Sequence, residues 1–270
     1  RLALAAALAA ALALPAAAEE MRNPLQDGET WQSLRADLYG EREIRDGAHL
    51  LAFEAPYRAH DAAMVPVEIR ERAGTGAEIV SLDLIVDENP APVAAEFAFG
   101  EAMQDVDLAT RVRVNAYSNV RAVAETADGA LYMVGRFVKA SGGCSAPAMK
   151  DADAALANLG KMKMRVYDAA EAPAPGTREA QIMIRHPNYS GLQMNQLTRL
   201  FIPAHFVREI EVRAGEAMVF RMTGGISISE DPAIRFRFRD GGAGALEVHA
   251  EDTEGAVFEG SFPVGGASAS

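Results

Sequence analysis

The feature that most constrains the fold of this chain is a strict alternation of apolar and charged residues in short runs. Residues 234–239 read Ile-Arg-Phe-Arg-Phe-Arg, and residues 111–114 read Arg-Val-Arg-Val. Because successive side chains of a strand point to opposite faces of a sheet, this period of two predicts half-buried antiparallel strands. Arg235, Arg237 and Arg239 would share one face, either as an ordinary solvated strand surface or as a basic stripe for an anionic partner.

Similar short runs recur along most of the chain, separated by sequences rich in glycine, asparagine, aspartate and proline that favour turns. We predict seven strands in the first half, at 49–53, 65–70, 79–86, 95–99, 109–116, 120–125 and 131–138. Seven more follow, at 162–166, 180–185, 206–213, 217–222, 234–239, 246–250 and 257–262. About seven short strands in roughly 100 residues are typical of a β-sandwich. The predicted fold class is therefore all-β, with two Ig-like antiparallel β-sandwiches.

Two short helices accompany these strands. Trp31, Leu34 and Leu38 have the spacing of an amphipathic helix that ends near Gly40. Residues 150–159 have the composition of a second helix, which would follow the segment that contains the cysteine. The sequence thus places one helix at the N-terminus and one after the cysteine loop.

An Ala/Pro-rich stretch at 169–177 is poor in core residues, and we predict that it is a linker between two domains. The first sandwich then covers residues 29–168 and includes a cysteine loop at 141–147. The second sandwich covers residues 178–264.

The start of the chain predicts export. Residues 1–18 contain an arginine, a short apolar run and small residues, as a cleaved secretory signal peptide does. We therefore expect a periplasmic protein, and no later segment is apolar enough to anchor it in a membrane. The formal net charge of −12 argues against nucleic acids and anionic lipids as partners, because both are bound by clustered lysine and arginine.

Cys144 is the single cysteine of the chain, so no disulfide can form within it. Gly142 and Gly143 precede the sulfur, and we interpret them as a flexible presenting loop, since glycine adds no bulk and permits unusual backbone angles. An unpaired cysteine in an exported protein suggests a functional thiol, which we expect to be exposed. The alternative is a small buried residue in a loop, which is common for free cysteines.

The sequence contains no self-contained active site. It has neither a phosphate-binding glycine loop nor a Gly-x-Ser-x-Gly motif. Its histidines are scattered without the spacing of metal ligands or of a base beside a nucleophile: His49, His60, His186, His205 and His249. We therefore expect no catalytic residue, no metal site and no cofactor, and a protein that is not an enzyme. His186 and His205 lie near prolines in loop sequences, which is as consistent with function as with structure.

Several segments together resemble the two subunits of the SoxYZ family. Val-Pro-Val at 65–67, Ile-Val-Asp-Glu-Asn-Pro-Ala-Pro at 85–92 and Gly-Gly-Cys at 142–144 resemble SoxY. The second half resembles SoxZ at 184–187, 202–206, 226–232 and 234–238. The chain is thus similar to a SoxYZ fusion, of the type described as quinoprotein dehydrogenase-associated SoxYZ-like carriers.

This resemblance implies that Cys144 corresponds to the carrier cysteine, to which sulfur intermediates are attached while periplasmic enzymes oxidise them, as in thiosulfate oxidation. The implied partners are periplasmic cytochromes and sulfur-oxidising enzymes, or a quinoprotein dehydrogenase. The SoxY-like and SoxZ-like halves would pair within the chain. A sulfur species on Cys144 would be the covalent cargo, and the resemblance implies no other cofactor.

The cysteine loop departs from the family pattern. In a typical SoxY the sequence Gly-Gly-Cys-Gly-Gly ends the chain, whereas here Ser145 and Ala146 follow the cysteine and the chain continues. The loop is therefore anchored at both ends.

The alternative hypothesis is a non-catalytic accessory or binding module for a periplasmic quinoprotein dehydrogenase or its cytochrome, in which Cys144 is incidental.

Overall fold

The computed structural model describes residues 23–26, 28–147, 156–167 and 176–264. The described residues form one helix and fifteen strands: α1 (Glu29–Tyr39), β1 (Ile44–Asp46), β2 (Leu51–Glu54), β3 (Val65–Glu71), β4 (Ile79–Val86), β5 (Val93–Phe99), β6 (Met103–Val112), β7 (Ser118–Thr126), β8 (Leu131–Val138), β9 (Met162–Val166), β10 (Thr177–Ile184), β11 (Val207–Ala214), β12 (Ala217–Gly224), β13 (Ala233–Arg239), β14 (Ala245–Asp252) and β15 (Val257–Pro263). Among these residues, no helix has the length and apolar character needed to cross a bilayer.

The strands form two sheets, and both sheets run through both halves of the chain. The larger sheet has nine strands in the order β1-β8-β7-β4-β5-β12-β11-β14-β15, and the smaller has six in the order β2-β3-β6-β13-β10-β9. The halves meet where β5 pairs with β12 and where β6 pairs with β13, both antiparallel. The all-β prediction is confirmed, and the structure adds that the two sandwiches are joined edge to edge. This junction covers strand edges that would otherwise be free to pair with other chains.

Most strand predictions are confirmed, several of them to the residue. β4, β8 and β9 have the predicted bounds. The strand predicted at 109–116 instead spans Met103–Val112, because the amides of Arg113 and Val114 leave the ladder and bond to loop carbonyls. The three-residue β1, which pairs parallel to β8, carries no alternation and was missed.

The predicted helices and linker have different outcomes. Helix α1 ends at Tyr39, and Gly40 follows it with a positive φ of 59°, as its glycine suggests. Most of the second helix and of the 169–177 linker lies outside the described residues, so the division at the linker stays a prediction. Strand β9, which the sequence grouped with the first half, pairs with β10 of the second half.

Aromatic side chains fill the core where the two halves meet. The ring centroid of Phe220 lies 6.0 Å from that of Phe97 in the first half and 5.1 Å from that of Phe236. Phe220 and Phe236 are fully buried, in a hydrophobic cluster with members from both halves. The halves therefore share one core.

The alternating run in β13 has the two faces that its sequence predicts. Ile234, Phe236 and Phe238 are buried in the core. On the other face, Arg237 lies 2.6 Å from Asp107, and Arg235 lies 3.6 Å from both Glu68 and Glu179. Carboxylates on neighbouring strands thus neutralise Arg235 and Arg237, so these two arginines do not form a basic stripe for an anionic partner.

The shared core predicts that the halves unfold together. Phe220→Ala should lower the free energy of unfolding by about 3–5 kcal/mol, the usual cost of deleting a buried phenylalanine ring. The fluorescence of Trp31, in the first half, and far-ultraviolet circular dichroism should report one coincident urea transition. Phe201→Ala, at a ring 65% exposed in the same half, is the control and should change stability by less than about 0.5 kcal/mol. Two separate transitions would contradict a shared core.

Candidate functional site

The loop that carries Cys144 packs against the backbone of the first half. The amide of Gly142 donates to the carbonyl of Asn115 at 2.8 Å, and that of Gly143 donates to the carbonyl of Val114 at 3.1 Å. Gly142 has a positive φ of 78°. A Cβ on Gly143 would lie 2.1 Å from the carbonyl oxygen of Ala62. The two glycines thus allow a tight turn and a close backbone approach.

The thiol itself is buried, with 0% of Cys144 exposed. The expectation of an exposed thiol is therefore wrong for this conformation. That expectation follows from an unpaired cysteine in an exported protein and from the Gly-Gly sequence, and Gly-Gly is equally suited to close packing. Of the neighbouring residues, Ser145 is exposed and Gly143 is buried, so the loop turns inward at the sulfur.

The second half holds this loop in place through two side chains, which we call the latch. The hydroxyl of Ser190 donates to the carbonyl of Cys144, and the side-chain amide of Gln193 donates to the carbonyl of Ala146 at 3.0 Å. The side-chain oxygen Oε1 of Gln193 in turn accepts a hydrogen bond from the backbone amide of Ser190 at 3.1 Å. The site therefore lies between the halves, and its cover comes from a different part of the chain than its sulfur.

A buried arginine lies on the other side of the loop. Arg113 is 1% exposed and follows β6 directly. Its guanidinium donates to the carbonyl of Gly143 at 3.1 Å and to that of Asn188 at 3.2 Å, so it bridges the cysteine loop and the second half. The sequence placed Arg113 in a half-buried strand and missed this role.

The surroundings keep the thiol protonated. Burial raises the pKa of Cys144, and the positive charge of Arg113 opposes this rise without cancelling it. Burial also lowers the pKa of Arg113. Since the thiolate is the reactive form of cysteine, the buried thiol of Cys144 is a poor nucleophile at neutral pH.

Two histidines and an aspartate that are distant in the sequence meet below the latch. Nε2 of His205 lies 2.8 Å from Oδ2 of Asp252, and Nε2 of His186 lies 3.5 Å from the same oxygen. The scattered positions of these residues indicate no cluster in the sequence, because contacts between distant segments leave no spacing motif. All three are buried, and one donor atom from each lies within 4.8 Å of the others.

This cluster has the distances of a metal site, but the hydrogen bonding of His186 does not fit one. Nδ1 of His186 accepts the amide N–H of Asn188 at 3.0 Å. A neutral imidazole that bound a metal through Nε2 would carry its proton on Nδ1, where it would face that N–H. The geometry favours a proton on Nε2 that points to Asp252. The cluster therefore positions Asn188, and the backbone carbonyl of Asn188 accepts a hydrogen bond from Arg113.

Three other residues that the sequence singled out contact residues outside the cysteine loop. Arg185 pairs with Asp231 at 2.5 Å. His249 lies 3.5 Å from Glu259 on the far strands of the large sheet, and His49 packs edge-on against Tyr132. These contacts are structural.

The segment that carries the latch continues into an exposed apolar hairpin. Bridges between Tyr189 and His205 and between Met194 and Phe201 hold its two arms together. Its tip exposes several large apolar side chains, at Leu192, Met194, Leu197, Leu200 and Phe201, with Leu197 94% exposed. A cluster of this kind on a protein surface is typical of a contact site for another protein.

Comparison with known families identifies both halves. Residues 35–144 match the family model "Sulfur oxidation protein SoxY", and residues 164–263 match "Sulphur oxidation protein SoxZ". The first match ends on Cys144. Among solved structures, the sulfur carrier protein SoxY from Chlorobium limicola f thiosulfatophilum is 21% identical, with a TM-score of 0.34 over 41% of this chain and 91% of that one. No curated protein matches the chain.

The latch predicts slow alkylation of Cys144 and faster alkylation when it is weakened. Ser190→Ala and Gln193→Ala should each raise the rate of reaction with iodoacetamide by about 3- to 10-fold, the value of one neutral hydrogen bond. Because the pKa of the buried thiol is raised, the alkylation rate of the wild type should reach half of its maximum at a higher pH than that of a free cysteine. Gln196→Ala, in the same hairpin but without a bond to the loop, is the control. Equal rates in all four proteins would contradict the latch.

The buried His186 predicts a loss of stability in acid. Burial lowers its pKa from 6.5 to about 4, with a further contribution from His205. Between these values the unfolded chain binds a proton that the folded protein excludes, so stability falls as the pH drops from 6.5 towards 4. Two and a half pKa units correspond to about 3 kcal/mol.

Urea unfolding at pH 7 and pH 4.5 measures this loss. In His186→Gln the difference between the two pH values should shrink by about 2–3 kcal/mol, because the titrating group is gone. His249→Gln, at a histidine on the surface, should leave the difference unchanged. If His186→Gln and the wild type lose the same stability between the two pH values, the loss comes from other groups and the prediction is wrong.

Proposed function

The chain belongs to the SoxYZ fusions, with a SoxY domain joined to a SoxZ domain, and on that premise we propose that it carries a sulfur intermediate covalently on Cys144. It would present this intermediate to partner oxidising enzymes in the periplasm. The observation that supports this most is that the single thiol of the chain ends the SoxY match and lies where the two domains meet. In this proposal the protein is a substrate carrier without an active site of its own.

The chemistry of loading requires a partner. Joining the thiolate of Cys144 to the terminal sulfur of thiosulfate forms one S–S bond and releases two electrons. A partner cytochrome would accept these electrons, and the thiol proton would pass to solvent. The protein then contributes a single nucleophile, which becomes accessible once the cysteine loop is released, and the redox chemistry belongs to the partner.

Because the thiol is buried in this structure, a carrier cycle requires two positions of the cysteine loop. In the retracted position the sulfur is protonated and covered, so it resists unspecific oxidation. In the released position the bonds from Ser190 and Gln193 are broken, and the thiol regains the pKa and access of a surface cysteine. The contacts that hold the loop are hydrogen bonds and one buried guanidinium, which a docking partner can displace.

The exposed hairpin supports a role for protein partners in this release. Its apolar tip and its latch residues belong to one continuous segment of the second half. A partner that packs on Leu197, Leu200 or Phe201 would therefore act on the segment that covers Cys144. We propose sulfur-oxidising enzymes and cytochromes, or a quinoprotein dehydrogenase, as such partners.

The burial of Cys144 favours one alternative function. In it the chain is an accessory module of a periplasmic quinoprotein dehydrogenase or its cytochrome, and the cysteine is an ordinary interior residue. Affinity capture then recovers the dehydrogenase equally with the wild type and with Cys144→Ala. A carrier loses its cargo-dependent partners in the same variant.

Intact mass spectrometry tests the carrier proposal directly. Protein purified natively from cells supplied with a reduced sulfur source should show species heavier than the mature chain, by masses that correspond to added sulfur or sulfur–oxygen groups. Reductant should remove these species, because they are attached through an S–S bond.

The control is Cys144→Ser, which replaces the thiol by a hydroxyl of similar size and should show the unmodified mass alone. An unmodified thiol in the wild type under all sulfur supplies, together with normal sulfur oxidation in Cys144→Ser, would overturn the proposal.

A further inference from the structure

The side chain of Arg113 is buried without a counter-ion. Among the residues that the structure describes, its two hydrogen bonds go to carbonyl oxygens, and the carboxylates of Glu230 and Asp61 act on it through charge without a hydrogen bond. Its Nε is buried and has no hydrogen-bond partner. A positive charge removed from water in this way costs free energy that two neutral acceptors do not restore.

A second buried arginine shows how this chain normally stabilises such a charge. Arg121 is 2% exposed, and its guanidinium lies 2.9 Å from the carboxylate of Asp87, with which it forms several bonds. Arg113 is buried to the same extent, and the carboxylates that influence it, Glu230 and Asp61, do so at longer range. The contrast indicates that the partner of Arg113 is a group that the polypeptide itself does not supply.

The position of Arg113 identifies where that group would be. Its guanidinium donates to the carbonyl of the residue immediately before Cys144, and its charge interacts with the Cys144 sulfur. A group attached to this sulfur would therefore lie next to a residue that the guanidinium already contacts. Guanidinium binds tetrahedral and planar oxyanions through two parallel N–H bonds, and these charge-assisted bonds are about twice as strong as neutral ones.

We propose that Arg113 is the anion subsite of Cys144, which binds a negatively charged sulfur–oxygen group attached to the sulfur when the loop is retracted. This inference rests on the proposed function, because it takes Cys144 as the attachment point. It adds a selection by charge: an adduct that ends in a sulfonate gains the guanidinium as a partner, and an uncharged adduct does not. The class of cargo that the closed carrier stabilises is then anionic.

The test attaches two groups of nearly equal shape and different charge to Cys144. Iodoacetate leaves a carboxymethyl group with one negative charge, and iodoacetamide leaves the neutral carboxamidomethyl group. Both proteins are labelled to completion, verified by intact mass, and melted at low ionic strength. The carboxymethyl protein should melt about 3–6 °C higher, as expected for one charge-assisted hydrogen bond in a chain of this size.

Two variants separate a direct contact from a general effect of charge. In Arg113→Gln the difference between the two adducts should vanish, and in Arg113→Lys part of it should remain. Arg111→Gln removes one positive charge two residues earlier, from a side chain that bonds to the carbonyl of Asp231, and should leave the difference intact. An undiminished difference in Arg113→Gln would overturn the proposal.

The wild-type comparison decides the question even where Arg113→Gln fails to fold. Equal melting temperatures of the two wild-type adducts, or a lower one for the anionic adduct, would overturn the subsite. Because the adducts are made chemically, this outcome is independent of whether natural cargo is found on Cys144. An absence of natural cargo would instead count against the carrier function.

Discussion

The hydrogen bonds between β5 and β12 and between β6 and β13 are the interaction on which the rest of this structure depends. They make two sandwiches into one pair of sheets with a shared core. Directly beyond them lies a buried polar seam, in which the amide of Arg113 donates to the carbonyl of Ser227 at 2.7 Å and Asn89 donates to the carbonyl of Arg113 at the same distance. The cysteine loop is packed on this seam. Without the strand pairing, neither the latch nor the guanidinium would be held against the cysteine loop.

How much of this follows from the sequence differs from element to element. Strands such as β4 and β8 are predicted to the residue, because a short run rich in apolar residues between turn-forming residues is a local pattern. The junction of the halves is not predicted, since the residues that pair there are more than a hundred positions apart and alternation does not specify a partner strand. The meeting of His186 and Asp252 is hidden for the same reason.

The cysteine loop shows a different limit of sequence reasoning. Gly-Gly before a cysteine is consistent with mobility and with dense packing, and the choice depends on whether a backbone lies against the second glycine. Here the carbonyl of Ala62 does, at a distance that excludes any side chain at Gly143. The glycines hold the loop through their backbone amides and offer no side chains, so the side-chain bonds that tie the loop to the rest of the protein come from elsewhere: from Ser190, Gln193 and Arg113.

The residues that cover Cys144 belong to the same chain as the cysteine. This decides whether dilution of the protein exposes the thiol. If the second half were a separate subunit, the thiol would be uncovered in a fraction of molecules set by the dissociation constant and the amount of protein present. Here the covering segment and the sulfur belong to one polypeptide and one core. The fraction of molecules with an uncovered thiol is then set by an equilibrium within one chain, so it is the same at low and at high protein concentration. Only an event that opens the loop itself changes it.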